Sequence, residues 1–191
     1  MRSFVIALIS LFALGCAQSG GTSTGNPLVD LKFDAFNASL AMKKATATDI
    51  GALSVSSLKF CFKRLRFKQS GDATNPDPTQ DSDNQDFYLG EVTISSLGTT
   101  LSGVTLPTGT YERIEFDLED SCPSGNSVEL HNGNGTFTTS DRITIRFNGT
   151  FTQTGADATL GMDIQAIVSA LNTVSNSSQI KNKAEGVDGS F

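Results

Sequence analysis

Four aspartates, Asp77, Asp81, Asp83 and Asp86, crowd into a segment, 69–86, whose only apolar residue is Ala73. Carboxylate oxygens at this density are the donor set of a calcium site, which takes six to eight oxygens. The spacing does not fit the EF-hand. With Asp81 and Asp83 as first and third ligands, Asp86 falls where the loop needs glycine, and Val92 where it needs the bidentate glutamate. The segment therefore reads as a solvated acidic loop joining two strands. It is a candidate contact loop, with no metal assigned. The single histidine, His131, is the next group able to do chemistry. A nucleophile relay needs an acid on one side of the imidazole and a hydroxyl on the other. Zinc needs three or four nitrogen or sulfur ligands. One histidine beside the turn "HNGNGT" points to neither, and reads as a surface turn residue. Five cations within ten residues, Lys59, Lys63, Arg64, Arg66 and Lys68, offer a place for an anionic ligand or a lipid headgroup. No phosphate loop or dinucleotide fingerprint occurs, so no cofactor is expected.

The elements that must hold these residues are strands. Period-two alternation of apolar residues is the strand signal. It recurs in "LVDLKF", "SLKFCFKRLRFK", "TYERIEFDLE" and "RITIRFNGTFTQ", with Gly, Asn, Pro or Asp in the gaps. In the second of these the apolar set moves from Leu58, Phe60 and Phe62 to Leu65 and Phe67. One extra residue at Lys63-Arg64, a β-bulge, accounts for that change of parity. "NGNG" between two such runs is a hairpin turn. Late in the chain Ile164, Ile167, Val168, Leu171 and Val174 follow helical spacing, so a short helix is expected at about 165–175. The remaining "NSSQIKNKAEGVDGSF" has no usable pattern and is expected to fray. The expected fold class is all-β: an antiparallel β-sandwich with one short C-terminal helix.

The N-terminus has a different pattern. Met1-Arg2-Ser3 precedes a 12-residue apolar run, Phe4 to Gly15, and then Cys16. This is the layout of a secretory leader, too short to span a bilayer. "ALGC", Ala13 to Cys16, resembles the lipobox of bacterial lipoproteins, with Ala13 and Leu14 in the reverse of the family's usual order. Ala13-Leu14-Gly15 is also an acceptable site for ordinary signal cleavage, which would give plain secretion. The resemblance implies that the Cys16 thiol carries a diacylglycerol and that its freed amine is acylated. Two or more acyl chains hold a protein at a membrane where one does so only marginally. Residues 16–26 then read as the lipidated cysteine and a flexible Gly/Ser/Thr tether. In the same families Asp after the cysteine favours inner-membrane retention; Ala17 stands there, which leans towards the outer membrane.

Cysteine parity supports this. The chain has three cysteines, and with Cys16 lipidated the other two, Cys61 and Cys122, can pair. Export permits such a bridge. Closing a loop of that length stabilises by roughly 4 kcal/mol in the chain-entropy model. A parallel arrangement and a register shifted by the bulge are the alternatives; with Cys61 placed across from Cys122 in an antiparallel pair, the ladder continues Arg64–Glu119, Leu65–Leu118, Arg66–Asp117, Phe67–Phe116 and Lys68–Glu115. Opposite charges then meet on one face, each pair contributing roughly 0.2–1 kcal/mol. On this reading the basic stripe is structural.

"LPTGTYERIEF", Leu106 to Phe116, resembles the strand-turn-strand of transthyretin-like β-sandwich domains in exported bacterial proteins, and of lipoprotein domains of unknown function. The resemblance implies that Gly109 opens a tight turn and that Tyr111 begins a strand. It carries no catalytic residue.

Removing the leader takes Arg2 with it. The rest holds 13 Lys and Arg against 20 Asp and Glu, a net charge of −7. That balance excludes nucleic acid as a partner. The organisation expected is a leader at 1–15, the anchor and tether at 16–26, one sandwich domain at 27–175 and a disordered tail at 176–191. The function expected is a non-catalytic binding or structural module of the cell envelope. Its partners are the membrane, through lipid on Cys16, and an envelope protein or glycan. The alternative is a hydrolase of envelope polysaccharide using a carboxylate pair, which needs two acids ~5–10 Å apart in a cleft.

Overall fold

The computed structural model describes residues 26–36, 55–69 and 89–191. The leader, Cys16, most of the tether and the aspartates Asp77, Asp81, Asp83 and Asp86 lie outside the described residues.

Alternation puts one side of each strand in the core. In β1 (Leu28–Phe33), Val29, Leu31 and Phe33 are buried while Lys32 is exposed. β1 lies between β4 (Thr99–Thr105), antiparallel, and β9 (Ala158–Met162), parallel. These three make the small sheet. The large sheet is built on the 13-residue β2 (Ser57–Gln69). β3 (Gly90–Ile94) lies on one side of β2. On the other side β5 (Gly109–Leu118) and β6 (Val128–Asn132) follow one another, because Phe62 pairs with both Gly90 and Leu118, and Phe60 with both Val92 and Val128. β8 (Ile143–Gln153) flanks β5, and β7 (Gly135–Thr139) flanks β6. β10 (Gly189–Ser190) adds to β8 in parallel.

The two sheets face each other across a cluster of phenylalanines. Phe33 of the small sheet meets Phe116 and Phe147 of the large one, with ring centroids 5.6 and 5.8 Å apart. Phe62 and Phe147 pack on Phe116 at 5.3 and 5.5 Å. Tilted and edge-on pairs of this kind contribute about 0.5–1.5 kcal/mol each beyond their buried area. The architecture is the expected all-β sandwich with a short helix, α1 (Gln165–Leu171), which buries Ile167, Val168 and Leu171. Two strand pairs, β1–β9 and β8–β10, are parallel rather than antiparallel.

The bulge falls where the parity change placed it. The register runs Phe62↔Leu118 and then Arg64↔Asp117, so Lys63 is the extra residue of β2. The β2–β5 pairing itself is antiparallel as expected, but its register is offset by two residues. Leu65 faces Phe116 rather than Leu118, and Arg66 faces Glu115 rather than Asp117. The expected register set Cys122 in the ladder. Instead residues 119–127 leave it as a loop. Cys61 closes the gap: its N–H donates to the Ser127 carbonyl, and its carbonyl accepts from the Glu119 N–H. The Cys61–Cys122 disulfide staples the loop at that point. A two-residue offset preserves which face each side chain takes.

"LPTGTY" forms a corner. The buried Tyr111 hydroxyl donates to the Pro107 carbonyl, 2.9 Å away, across the turn that Gly109 opens at φ +159°. The tyrosine corner of β-sandwiches is built this way.

The expected fraying of 176–191 is corrected. After a 3₁₀ turn (Ser177–Gln179), α2 (Ile180–Glu185) buries Ile180 and Ala184, and β10 follows. Ser190 exchanges both backbone hydrogen bonds with Asp163, just past β9. This short tail thus ties the small sheet to the large one. Gly189 is needed there, since a Cβ would sit 2.4 Å from the Phe147 ring. The domain accordingly extends past 175 to Phe191.

Candidate functional site

The pleat sends every second residue of β2, β5 and β8 away from the phenylalanine core. Their cross-strand rows read Arg64–Asp117–Thr144, Arg66–Glu115–Arg146 and Lys68–Arg113–Asn148. The Arg66 guanidinium bridges Glu115 at 2.8 Å and Asp117 at 3.0 Å. Arg66 and Glu115 are only 6% and 5% exposed, so this is a buried ion pair. Asp117 also accepts the Thr144 hydroxyl at 2.8 Å. Opposite charges meet on this face in the first two rows, in the offset register, whereas Lys68 faces Arg113, a like charge, instead of the expected Glu115.

Where the bulge turns Lys63 outward, the face becomes concave. A groove of about 320 Å³ opens there, lined by Lys63, Arg64, Arg66 and Arg142 with Asp117, Glu119 and Thr144. Lys63 reaches Glu119 Oε2 at 2.6 Å, and Arg142 takes Oε1 of the same carboxylate. These contacts hold the Glu119 carboxyl below its ordinary value: the Lys63 hydrogen bond is the largest cause, and the charge of Arg142 adds to it. A glycosidase general acid requires the opposite shift.

Beyond the stapled loop the same face carries a second charged group. Lys59 lies between Glu91, at 3.2 Å, and Glu129, at 3.5 Å. The Glu91 hydrogen bond is the chief reason the Lys59 ammonium titrates above its ordinary value. Glu91 itself is lowered, first by a hydrogen bond from Ser124 and then by Lys59. Glu129 is lowered chiefly by a hydrogen bond from His131.

His131 sits at the end of β6, next to the two-residue turn Gly133-Asn134. Its Nε2 lies 2.9 Å from Glu129 and its Nδ1 lies 3.0 Å from the Thr136 hydroxyl. The order hydroxyl, imidazole, carboxylate is that of a relay, and residue spacing did not reveal it. His131 and Thr136 are direct cross-strand partners on an open face. Glu129 is shared with Lys59. A relay acts on a substrate held beside it by oxyanion donors; here the hollow lies on the other side of the staple. Thr136 therefore pairs with His131 across the hairpin, and Glu129 holds the ring from two residues back on the same strand.

A second hollow, of about 270 Å³, lies at the start of β1 and β9 and holds Asp30 and Asp157. Asp157 accepts the Leu28 N–H at 2.9 Å and so anchors the first strand. Among the described residues no three His, Cys, Asp or Glu side chains are grouped to hold a metal, and no helix is long and apolar enough to cross a membrane. Comparison with known proteins finds no matching family model, no matching curated protein and no matching solved structure.

Proposed function

We propose that this chain is a lipid-anchored module of a bacterial cell envelope, outer membrane rather than inner, that binds or scaffolds rather than catalyses. The observation that supports it most is the Cys61–Cys122 disulfide. Disulfides persist in oxidising compartments, which fits export. Pairing two of three cysteines leaves Cys16 as the odd thiol, at the end of a leader-like run and before a Gly/Ser/Thr tether. Its resemblance to a lipobox gives that thiol a use. A sandwich on such a tether meets its partners through its outer faces and loops. The charged groove and the acidic segment with Asp77, Asp81, Asp83 and Asp86 are the surfaces put forward for an envelope protein or glycan.

Intact mass of the protein from membranes, beside a Cys16→Ala variant, tests the anchor. The expected result is a chain lacking residues 1–15, acylated on Cys16, with no free thiol under non-reducing conditions. The variant should leave the membrane fraction. An unmodified N-terminus in the soluble fraction overturns the reading.

A further inference from the structure

We infer that Asn134 is a modification site: its carboxamide is lost spontaneously, leaving aspartate and isoaspartate, and the loss loosens the tip of the β6–β7 hairpin from the chain that follows α1. Neither step depends on the lipid anchor. The chain has three Asn-Gly pairs, at 132–133, 134–135 and 148–149. Asparagine is a chemically labile residue, and a following glycine has no side chain to hinder attack by its backbone nitrogen. In that attack the glycine nitrogen gives up its proton and bonds to the asparagine Cγ. The bond from Cγ to the carboxamide nitrogen breaks, and ammonia leaves. Water then opens the cyclic imide at either carbonyl. One opening gives aspartate, the other isoaspartate, with the backbone rerouted through the β-carbon.

Ring closure needs a carboxamide free to swing onto the next nitrogen, and on that point the three pairs differ. Asn148 lies within β8. Its oxygen accepts from the Arg113 Nε at 3.2 Å, and its amide donates to Asp188 at 2.8 Å. Asn132 ends β6 and is also held at both ends. Its amide donates to the Val174 and Leu171 carbonyls at 2.9 and 3.2 Å, and its oxygen accepts the Asn134 N–H at 2.8 Å. Asn134 is exposed in the turn. Among the described residues its carboxamide makes one hydrogen bond, to the Val174 carbonyl at 2.9 Å. Turn tips are also where backbone freedom concentrates. That single bond gives the reaction its structural consequence. The Val174 carbonyl accepts from both Asn132 and Asn134, so losing the second amide removes one of these two ties. The new carboxylate has no proton to donate and is set against a carbonyl oxygen. Asn132 keeps its hold, so the modified chain stays folded.

The test is storage of the folded full chain in mildly alkaline buffer, with peptide mapping by mass spectrometry over time and isoaspartate counted by enzymatic methyl transfer. A parallel sample is kept unfolded in guanidinium chloride. In the folded chain Asn134 should convert roughly tenfold faster than Asn132 or Asn148, the difference that one or two further hydrogen bonds make. In the unfolded chain the three rates should converge, since only the local pair then matters. Asn134→Gln should abolish the early mass gain and leave the slow conversion of Asn148 unchanged. Asn134→Asp, the product itself, should melt slightly below the wild type. Thermal midpoints show that each variant is folded. Asn132 or Asn148 leading in the folded chain, three equal folded rates, or an Asn134 that reacts only when unfolded overturns the site. An Asn134→Asp midpoint equal to the wild type overturns the loosening of the hairpin.

Discussion

Two charged regions share the outer face of the large sheet, and the Cys61–Cys122 staple separates them. On one side Lys59 is flanked by Glu91 and Glu129, with His131 completing the string. The residues are cross-strand neighbours on an open surface, and carboxylates outnumber the lysine. On the other side Arg66 and Glu115 are buried, and four cations surround a hollow. Residue types are alike in the two regions. The difference comes from backbone geometry. The β2–β5 register shifts at Lys63, where residues 119–127 leave the ladder, whereas β2 pairs with β3 and β6 without a shift. Charges on an unbroken ladder settle register, whereas similar charges beside a bulge line a hollow.

The comparison breaks most severely if the staple is cut. Replacing Cys61 and Cys122 by serine should cost about 4 kcal/mol, given the 61-residue separation. Urea unfolding of the oxidised wild type and the double variant measures it.

The next largest contrast is between the pairs themselves. Glu115→Gln leaves the Arg66 charge buried without its nearest carboxylate, and should cost about 3 kcal/mol. Lys59 and its two glutamates are each about a quarter exposed, so Lys59→Ala should lower the urea midpoint far less than Glu115→Gln does. Equal losses in the two variants would show that burial does not distinguish the regions.

The smallest effect is in acid. Glu119, Glu91 and Glu129 all titrate below the ordinary value of 4.5 in the folded chain. Lowered folded values mean that the unfolded chain binds protons first as pH falls. The stabilisation is complete above the unfolded value and is lost as pH drops through the folded ones. The raised Lys59 behaves oppositely: its contribution is complete below 10.5 and is lost above that value. Urea midpoints should therefore hold steady near neutrality and fall below about pH 4. In Lys63→Ala the acid fall should shrink, since the largest cause of the Glu119 shift is gone. A fall of unchanged size would separate Glu119 from acid stability.

Much of the fold was legible because its signals are local. Period two in Val29, Leu31 and Phe33 marked a strand, and the parity change at Lys63 marked the bulge. Gly109 before Tyr111 marked a turn into a strand, though not the tyrosine corner that the Tyr111 hydroxyl closes on Pro107. The C-terminal tail was missed for lack of length. Ile180 and Ala184, one helical turn apart, are the buried residues of α2, too few among polar neighbours to make a pattern. What orders the segment is packing of Ile180 and Ala184 against the core and the Ser190–Asp163 bridge, both long-range. The relay-like contacts of His131 were invisible for the same reason, since Thr136 meets it only across the hairpin. The groove was half visible. The basic stripe was plain on β2, but Arg142 is 76 positions beyond Arg66 and enters only through the β5–β8 ladder.

The sequence by itself determined the strands, the bulge and the leader-like start. It also set which side of each strand is apolar, because these follow from the spacing of neighbouring residues. Only the tertiary structure decided the register of β2 on β5, the loop that Cys122 occupies and the meeting of Lys63 with Arg142. Those depend on where distant segments come to rest, and a two-residue offset that preserves every face leaves no trace in the local pattern.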